Sequence, residues 1–256
     1  MDVVAGVDEL RASNGPVVVS VGVFDGMHRG HAYLLEHLVI ESRARGSRPT
    51  VITFDHHPDE VLTGRAPALL LDPQERLERL EAAGVEVTVV QHFDEALRMT
   101  PYDAFVERIR ARVELRGFVM TPDAAFGNER RGTPTTLAAL GERDGFEVVV
   151  VPPFTVDGED VRSSAIRTAI TTGDLATAAR LLGRPVTVTG SVANGLAVAA
   201  DGRAELELAM PLALPPDGDY AVLVDGLPRA LRIEDGTAAI VGDVPAGRVS
   251  AVFVDA

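Results

Sequence analysis

Short β-rich runs alternate with helical periods along residues 1–185, and few folds accommodate that rhythm. Val17–Val23 is a continuous apolar run of strand length, as expected of a strand covered on both faces. Thr50–Phe54, Glu86–Val90, Gly117–Met120 and Phe146–Val151 read as further strands. Between them the apolar spacing predicts helices. Leu34, Leu35, Leu38 and Val39 mark one side of Gly30–Arg45, and Phe105 and Ile109 mark one side of a helix running to Arg112. Asp72-Pro73-Gln74-Glu75 has the N-cap, N1 proline and N3 glutamate of a helix start, and Thr100-Pro101-Tyr102-Asp103 repeats the pattern. Thr133–Arg143, Ser163–Thr171 and Asp174–Leu182 complete the helices. The expected fold is α/β, a doubly wound parallel sheet with helices on both faces.

Beyond Gly183 and Pro185 the rhythm changes. Thr187–Val192, Leu196–Ala199, Ala204–Leu208, Tyr220–Val224, Ala230–Ile233, Ala238–Val241 and Val249–Val254 read as short strands. Asp201-Gly202, Asp225-Gly226 and Asp235-Gly236 supply tight turns between them. Residues 186–256 are therefore expected to form a small antiparallel β-barrel, with a domain boundary near residue 185.

Ligands of doubly wound sheets bind beyond the carboxyl ends of the strands. The first βα turn, Gly22-Val23-Phe24-Asp25-Gly26-Met27-His28-Arg29-Gly30-His31, is thus where chemistry is expected. Its glycines let backbone approach phosphate oxygens, and the following helix brings free amides and a positive dipole end. His28 and His31, one helical turn apart, add donors. A zinc cage of Asp25, His28 and His31 is the competing chemistry, but such a cage has no need of glycine at 26 and 30.

Composition narrows the partners. The formal charge is −14 and both halves are acidic, which leaves no basic face for nucleic acid. Every basic residue is arginine, so no lysine is present for a P-loop. A polyanionic substrate must then be held by arginines, amides, helix ends and a metal ion. The absence of cysteine excludes disulfides and thiolate chemistry and fits a reducing cytosol. No apolar run reaches membrane-spanning length, and Met1-Asp2-Val3-Val4 does not open a secretory signal. Small-molecule substrates in the cytoplasm are the expectation.

The turn resembles GxFDGxHxGH, the signature of the prokaryotic FAD synthetases within the HxGH nucleotidyltransferases. Gly22, Phe24, Asp25, Gly26, His28, Gly30 and His31 all match, a coincidence on the order of 10⁻⁹ per window at average residue usage. Arg162-Ser163-Ser164-Ala165-Ile166-Arg167 is similar to the family's S-S-T-x-I-R, with Arg162 for the first serine and Ser164 for threonine. By itself this stretch reads as a helix start capped by Ser163 or Ser164. Thr53-Phe54-Asp55-His56-His57-Pro58 is similar to T-F-x-P-H-P, with His56 in place of proline. Pro122-Asp123-Ala124-Ala125-Phe126-Gly127 is similar to G-x-D-F-x-F-G, with Ala124 in place of an aromatic residue.

The resemblance implies adenylyl transfer from ATP to FMN, giving FAD and pyrophosphate, with Mg²⁺ bridging the phosphates. It assigns nucleotide binding to Gly22, Val23, Phe24, Asp25, Gly26, Gly30, Ser163 and Ser164. His28, His31 and Arg167 become the catalytic set, and Phe54, His57, Pro58, Asp123 and Phe126 border the flavin. No residue is a direct metal ligand, although Asp25 is an outer-sphere candidate. Residues 1–185 correspond to the adenylyltransferase and 186–256 to a shortened riboflavin-kinase-like barrel. That barrel lacks the family's G-F-P-T-A-N loop, so kinase activity is expected to be lost.

Two alternatives stay open. Ala124 and Ala125 leave room for a different phosphorylated acceptor. Arg162 and the stripped barrel leave room for a nucleotide or flavin binder without turnover. His37 and His92 have no motif context and read as surface residues.

Overall fold

The computed structural model describes residues 1–193 and 202–254. The chain divides into two units. The first comprises Met1–Phe24, Gly30–Pro67 and Leu77–Thr155, and the second Asp25–Arg29, Ala68–Arg76 and Val156–Ala256.

The first unit is built on a parallel sheet of β1 (Asp2–Val4), β2 (Val17–Val21), β3 (Arg48–Phe54), β4 (Val87–Gln91), β5 (Leu115–Met120) and β6 (Glu147–Val150). The strands lie in the order β1-β4-β3-β2-β5-β6, and every neighbouring pair is parallel. Helices α1 (Arg29–Ala44), α2 (Pro58–Thr63), α3 (Pro73–Ala82), α4 (Glu95–Arg98), α5 (Tyr102–Arg110) and α6 (Pro134–Asp144) connect them. Val17, Val19, Ile52, Val87 and Phe118 from the strands pack with Phe105, Ile109 and Leu137 from α5 and α6 in one buried cluster. From β2 the chain steps through β3 to β4 on one side, then returns to place β5 on the other side of β2. That reversal opens the crevice typical of ligand sites at the carboxyl ends of β2 and β5.

The α/β reading holds, with local differences. β1 is an edge strand three residues long, paired through Asp2 to Val87, and too short to show a periodicity. At α3 the carboxylate of Asp72 accepts the amides of Gln74 and Glu75 at 3.0 and 3.1 Å, as its position predicts. At α5 the expected threonine cap does not form. The Thr100 hydroxyl donates to the Ala96 carbonyl at 2.8 Å, closing α4 instead, and α5 starts without a side-chain cap.

The second unit contains a short hairpin, β7 (Thr155–Val156) and β8 (Glu159–Asp160), then α7 (Ser163–Thr171) and α8 (Leu175–Leu182). Its sheet is an antiparallel barrel of β9 (Thr187–Val192), β10 (Arg203–Glu205), β11 (Gly218–Val224), β12 (Leu227–Glu234), β13 (Thr237–Val241) and β14 (Gly247–Phe253), ordered β10-β13-β12-β11-β14-β9. Reciprocal bonds between Ser191 and Glu207 at 2.8 and 2.9 Å nearly close it. Asp225-Gly226 and Asp235-Gly236 adopt positive φ at both residues, the geometry that matches a two-residue turn to strand twist. The segment Ala68–Arg76 docks on this barrel: Leu69 pairs with Leu212, and Glu75 accepts the Thr189 hydroxyl at 2.9 Å. The expected strand Leu196–Ala199 and Asp201 lie outside the described residues, and the expected Ala204–Leu208 strand is confined to β10. No helix among the described residues is long and apolar enough to cross a membrane.

Candidate active site

The turn after β2 carries an unusual backbone. Phe24, Gly26 and Met27 have φ values of 54, 78 and 41°. Only glycine adopts that region without penalty, so Phe24 and Met27 are held there by their surroundings. Gly26 is fixed twice over, because a Cβ there would also lie 2.8 Å from Leu70 Cδ1.

Within the second unit, Asp25, Gly26 and Met27 are each held by specific partners. Asp25 is buried, with Oδ1 accepting the Leu70 amide and Oδ2 paired with Arg167 Nη2, both at 2.8 Å. Arg167 Nε donates to the Ala68 carbonyl at 2.6 Å. The Ser163 hydroxyl donates to the Asp25 carbonyl at 3.0 Å, and Arg184 donates to the carbonyls of Gly26 and Met27 at 2.7 and 3.2 Å. Three successive turn carbonyls are thus drawn toward α7 and the end of α8. Asp25–Met27 form a single 3₁₀ turn, with Gly26 at a non-helical φ of 78°.

These contacts change the reading of the second motif. Neither serine caps α7, whose N-cap position is Arg162 with no side-chain cap. Ser163 turns instead to Asp25, because a buried carbonyl requires a donor. Ser164 is exposed at the first turn of α7, and Arg162 pairs with Asp160 at 3.0 Å. Arg167 retains 20% side-chain exposure although two of its nitrogens are engaged. Leu70, the Ala68 carbonyl and Arg184 escaped sequence reasoning. Arg184 stands directly after the left-handed Gly183 that ends α8, but nothing local links it to Gly26, 158 residues earlier.

His28, also in the second unit, is buried, and burial foremost, then the Arg184 charge, pushes its pKa down to about 4. At neutral pH it is an uncharged imidazole and donates through one N–H. In the first unit, His31 lies in the first turn of α1 with its ring centroid 5.2 Å from that of Phe24. The start of the turn is tied to β3: Gly22 N donates to the Ile52 carbonyl and Thr53 Oγ1 to the Val23 carbonyl, both at 3.0 Å. Gly30 is the second residue of α1.

The flavin candidates fall at the ends of β3 and β5, the two strands that flank β2. Phe54 is buried and meets Phe93 edge-on at 5.2 Å. His57 Nδ1 accepts the Asp59 amide at 3.2 Å and caps α2, with Pro58 as its first residue. Phe126 packs 5.7 Å from both Phe105 and Phe118, and Asp123 accepts the Thr121 hydroxyl at 2.8 Å. Ala124 is partly buried against the same core.

With this geometry established, known proteins offer comparison. A family described as FAD synthetase matches residues 10–165. The bifunctional riboflavin kinase/FMN adenylyltransferase of Haemophilus influenzae is 32% identical over 69% of this chain and 58% of its own length. The Escherichia coli K12 protein of the same description is 31% identical over 76% of this chain and 63% of its own length, so the chain spans less than two thirds of either relative. The Pseudomonas fluorescens protein, again so described, is 30% identical over 88% of this chain and 73% of that protein. A crystal structure described as a macrolide-efflux protein from Streptococcus pneumoniae superposes with a TM-score of 0.83, covering 99% of this chain and 89% of that one at 24% identity. At that identity the likeness is one of fold alone.

Proposed function

The chain belongs to the FAD synthetase family, and from that membership we propose that it transfers the adenylyl group of ATP to FMN, forming FAD and pyrophosphate. The observation that carries this reading is the complete GxFDGxHxGH turn directly after β2, with the carbonyls of Asp25, Gly26 and Met27 bound by Ser163 and Arg184. An oxygen of the FMN phosphate attacks the α-phosphorus of ATP in line. The bond from that phosphorus to the bridging oxygen breaks, and the electron pair leaves with pyrophosphate. No residue becomes covalently attached, so the protein contributes positioning and charge stabilisation.

In this scheme Gly22, Val23, Phe24, Asp25, Gly26 and Gly30 shape the backbone that receives the nucleotide. Neutral His28, together with His31, donates to the triphosphate as negative charge develops. Ser164, the first amides of α7 and the remaining edge of Arg167 meet the departing pyrophosphate, while Ser163 and the Asp25 contact of Arg167 hold the turn. Phe54, His57, Pro58, Asp123 and Phe126 border the isoalloxazine from the ends of β3 and β5. Magnesium would enter with ATP and offset phosphate charge; Asp25, committed to Arg167 and the Leu70 amide, would stay an outer partner rather than a direct ligand.

We assign the transfer to residues 1–185 and read 186–256 as a barrel without riboflavin kinase activity, since no Pro-Thr-Ala-Asn follows β9 in the sequence. A second reading keeps the chemistry and changes the acceptor; Ala124 and Ala125, where aromatic stacking is reduced, favour it. Pyrophosphate release from ATP, measured with FMN and with a panel of other phosphorylated small molecules, separates the two. FMN-dependent release supports the first. Release with another acceptor alone supports the second, and no release with any acceptor overturns both.

A further inference from the structure

We propose that Asp55, His56 and His92 form a binding site for a divalent transition-metal ion of the zinc class. Asp55 and His56 directly follow β3, and His92 directly follows β4, the adjacent parallel strand. The site therefore sits on the carboxyl edge of the sheet, within the first unit.

One ligand atom from each residue lies within 4.8 Å of the others. Asp55 Oδ2 is 2.7 Å from His92 Nδ1, and Asp55 Oδ1 is 3.1 Å from His56 Nδ1. The two imidazoles meet edge to face at 5.7 Å. An ion at about 2.0–2.2 Å from each donor fits between groups so spaced with small side-chain adjustments.

The carboxylate is already oriented by backbone. Asp55 Oδ1 accepts the amides of His56 and Phe93 at 2.8 and 3.1 Å, and the Asp55 amide donates to the Gln91 carbonyl at 3.2 Å. Outer contacts of this kind fix a metal-ligating carboxylate and leave its second oxygen to the ion. Two nitrogens and one oxygen, with no thiolate, select zinc, nickel or cobalt over magnesium or calcium.

Partial exposure of all three residues leaves an entry path and room for water at the open positions. His56 stands where the related pattern has proline, so one ligand belongs to this chain's own departure from that pattern. An ion here ties the segment after β3 to the segment after β4. Its binding is independent of the proposed adenylyl transfer and is tested without ATP or FMN.

The full chain, stripped with chelator, is titrated with Zn²⁺ and separately with Co²⁺. The expected result is saturable binding of one ion per chain, visible Co²⁺ absorption bands, and a thermal midpoint raised by the metal. His56→Ala and His92→Ala, both at exposed positions, weaken binding at least about tenfold. Both variants keep the metal-free thermal midpoint, and His37→Ala binds as the unaltered chain does. No saturable binding below about 1 mM, unchanged affinity in both site variants, or an equal loss in His37→Ala overturns the proposal.

Discussion

Asp25 Oδ2 and Arg167 Nη2 lie 2.8 Å apart although 142 residues separate them in the chain. The pair joins two of the recognisable motifs of this sequence, the glycine-histidine turn and the Arg162–Arg167 stretch. The carboxylate is 4% exposed and the guanidinium side chain 20%, so their attraction is only partly screened. Breaking a pair of this kind from one side strands a buried charge, which costs more than the intact pair contributes.

Arg167→Ala should therefore destabilise the protein by about 3 kcal/mol, measured by urea unfolding. Asp25→Asn keeps an acceptor for the Leu70 amide and should lose less. In the double variant Asp25→Asn/Arg167→Ala the losses should fall short of their sum, giving a coupling of about 1–3 kcal/mol. Strict additivity would show that the pair contributes nothing.

His31→Ala should leave the unfolding midpoint nearly unchanged while lowering turnover about 10²–10³-fold, the usual effect of removing one donor to developing transition-state charge. Steady-state kinetics alongside thermal unfolding check both halves of this statement. Turnover within a fewfold of the unaltered chain removes His31 from the proposed mechanism.

The depressed pKa of His28 makes stability depend on pH. Unfolding returns the imidazole to its ordinary value of 6.5, whereas the folded protein holds it at about 4. Between those values the unfolded chain binds the extra proton. The stability associated with neutral His28 is complete above pH 6.5, declines as pH falls toward 4, and declines no further below it. At pH 4.5 the loss should be about 2–3 kcal/mol. His28→Gln, compared with the unaltered chain at pH 7 and 4.5, should lack that part of the decline.

Gly26→Ala places a Cβ on a residue at φ 78° and 2.8 Å from Leu70 Cδ1. The left-handed backbone alone costs about 1–2 kcal/mol for a non-glycine residue. A lower thermal midpoint and weaker ATP binding should appear together. Gly145→Ala, at φ 83° but facing open space, separates backbone strain from crowding.

Much of this architecture was legible because it is local. The run Val17–Val23 contains β2, the Asp72 cap opens α3, and Asp-Gly pairs turn the barrel hairpins, since each depends on neighbours within a few residues. The glycine and histidine pattern of the turn was likewise readable at a glance. What escaped was long-range. Nothing near Ser163 indicates that its hydroxyl serves the Asp25 carbonyl rather than its own helix, and nothing near Arg184 indicates that it holds Gly26 and Met27. His92 is the surface residue its lack of motif context implies, but its bond to Asp55 is not legible locally, since β3 and β4 bring the two together only by pairing side by side. Thr100 shows the limit of local rules, since two neighbouring helices competed for one hydroxyl.

The barrel gives a separate test of function. Riboflavin and ATP incubated with the purified chain should yield no FMN, because the sequence has no Pro-Thr-Ala-Asn loop after β9. Chromatographic detection of FMN above a protein-free control would restore kinase activity to residues 186–256.

The most direct measurement follows the α-phosphorus itself. ATP labelled at that phosphate is incubated with FMN and the purified chain, and the products are separated. Label should appear in FAD, with one unlabelled pyrophosphate released for each FAD formed, and the transfer should fall about 10²–10³-fold in His31→Ala. Label that stays in ATP, or that emerges as AMP with no FAD, contradicts adenylyl transfer at this turn.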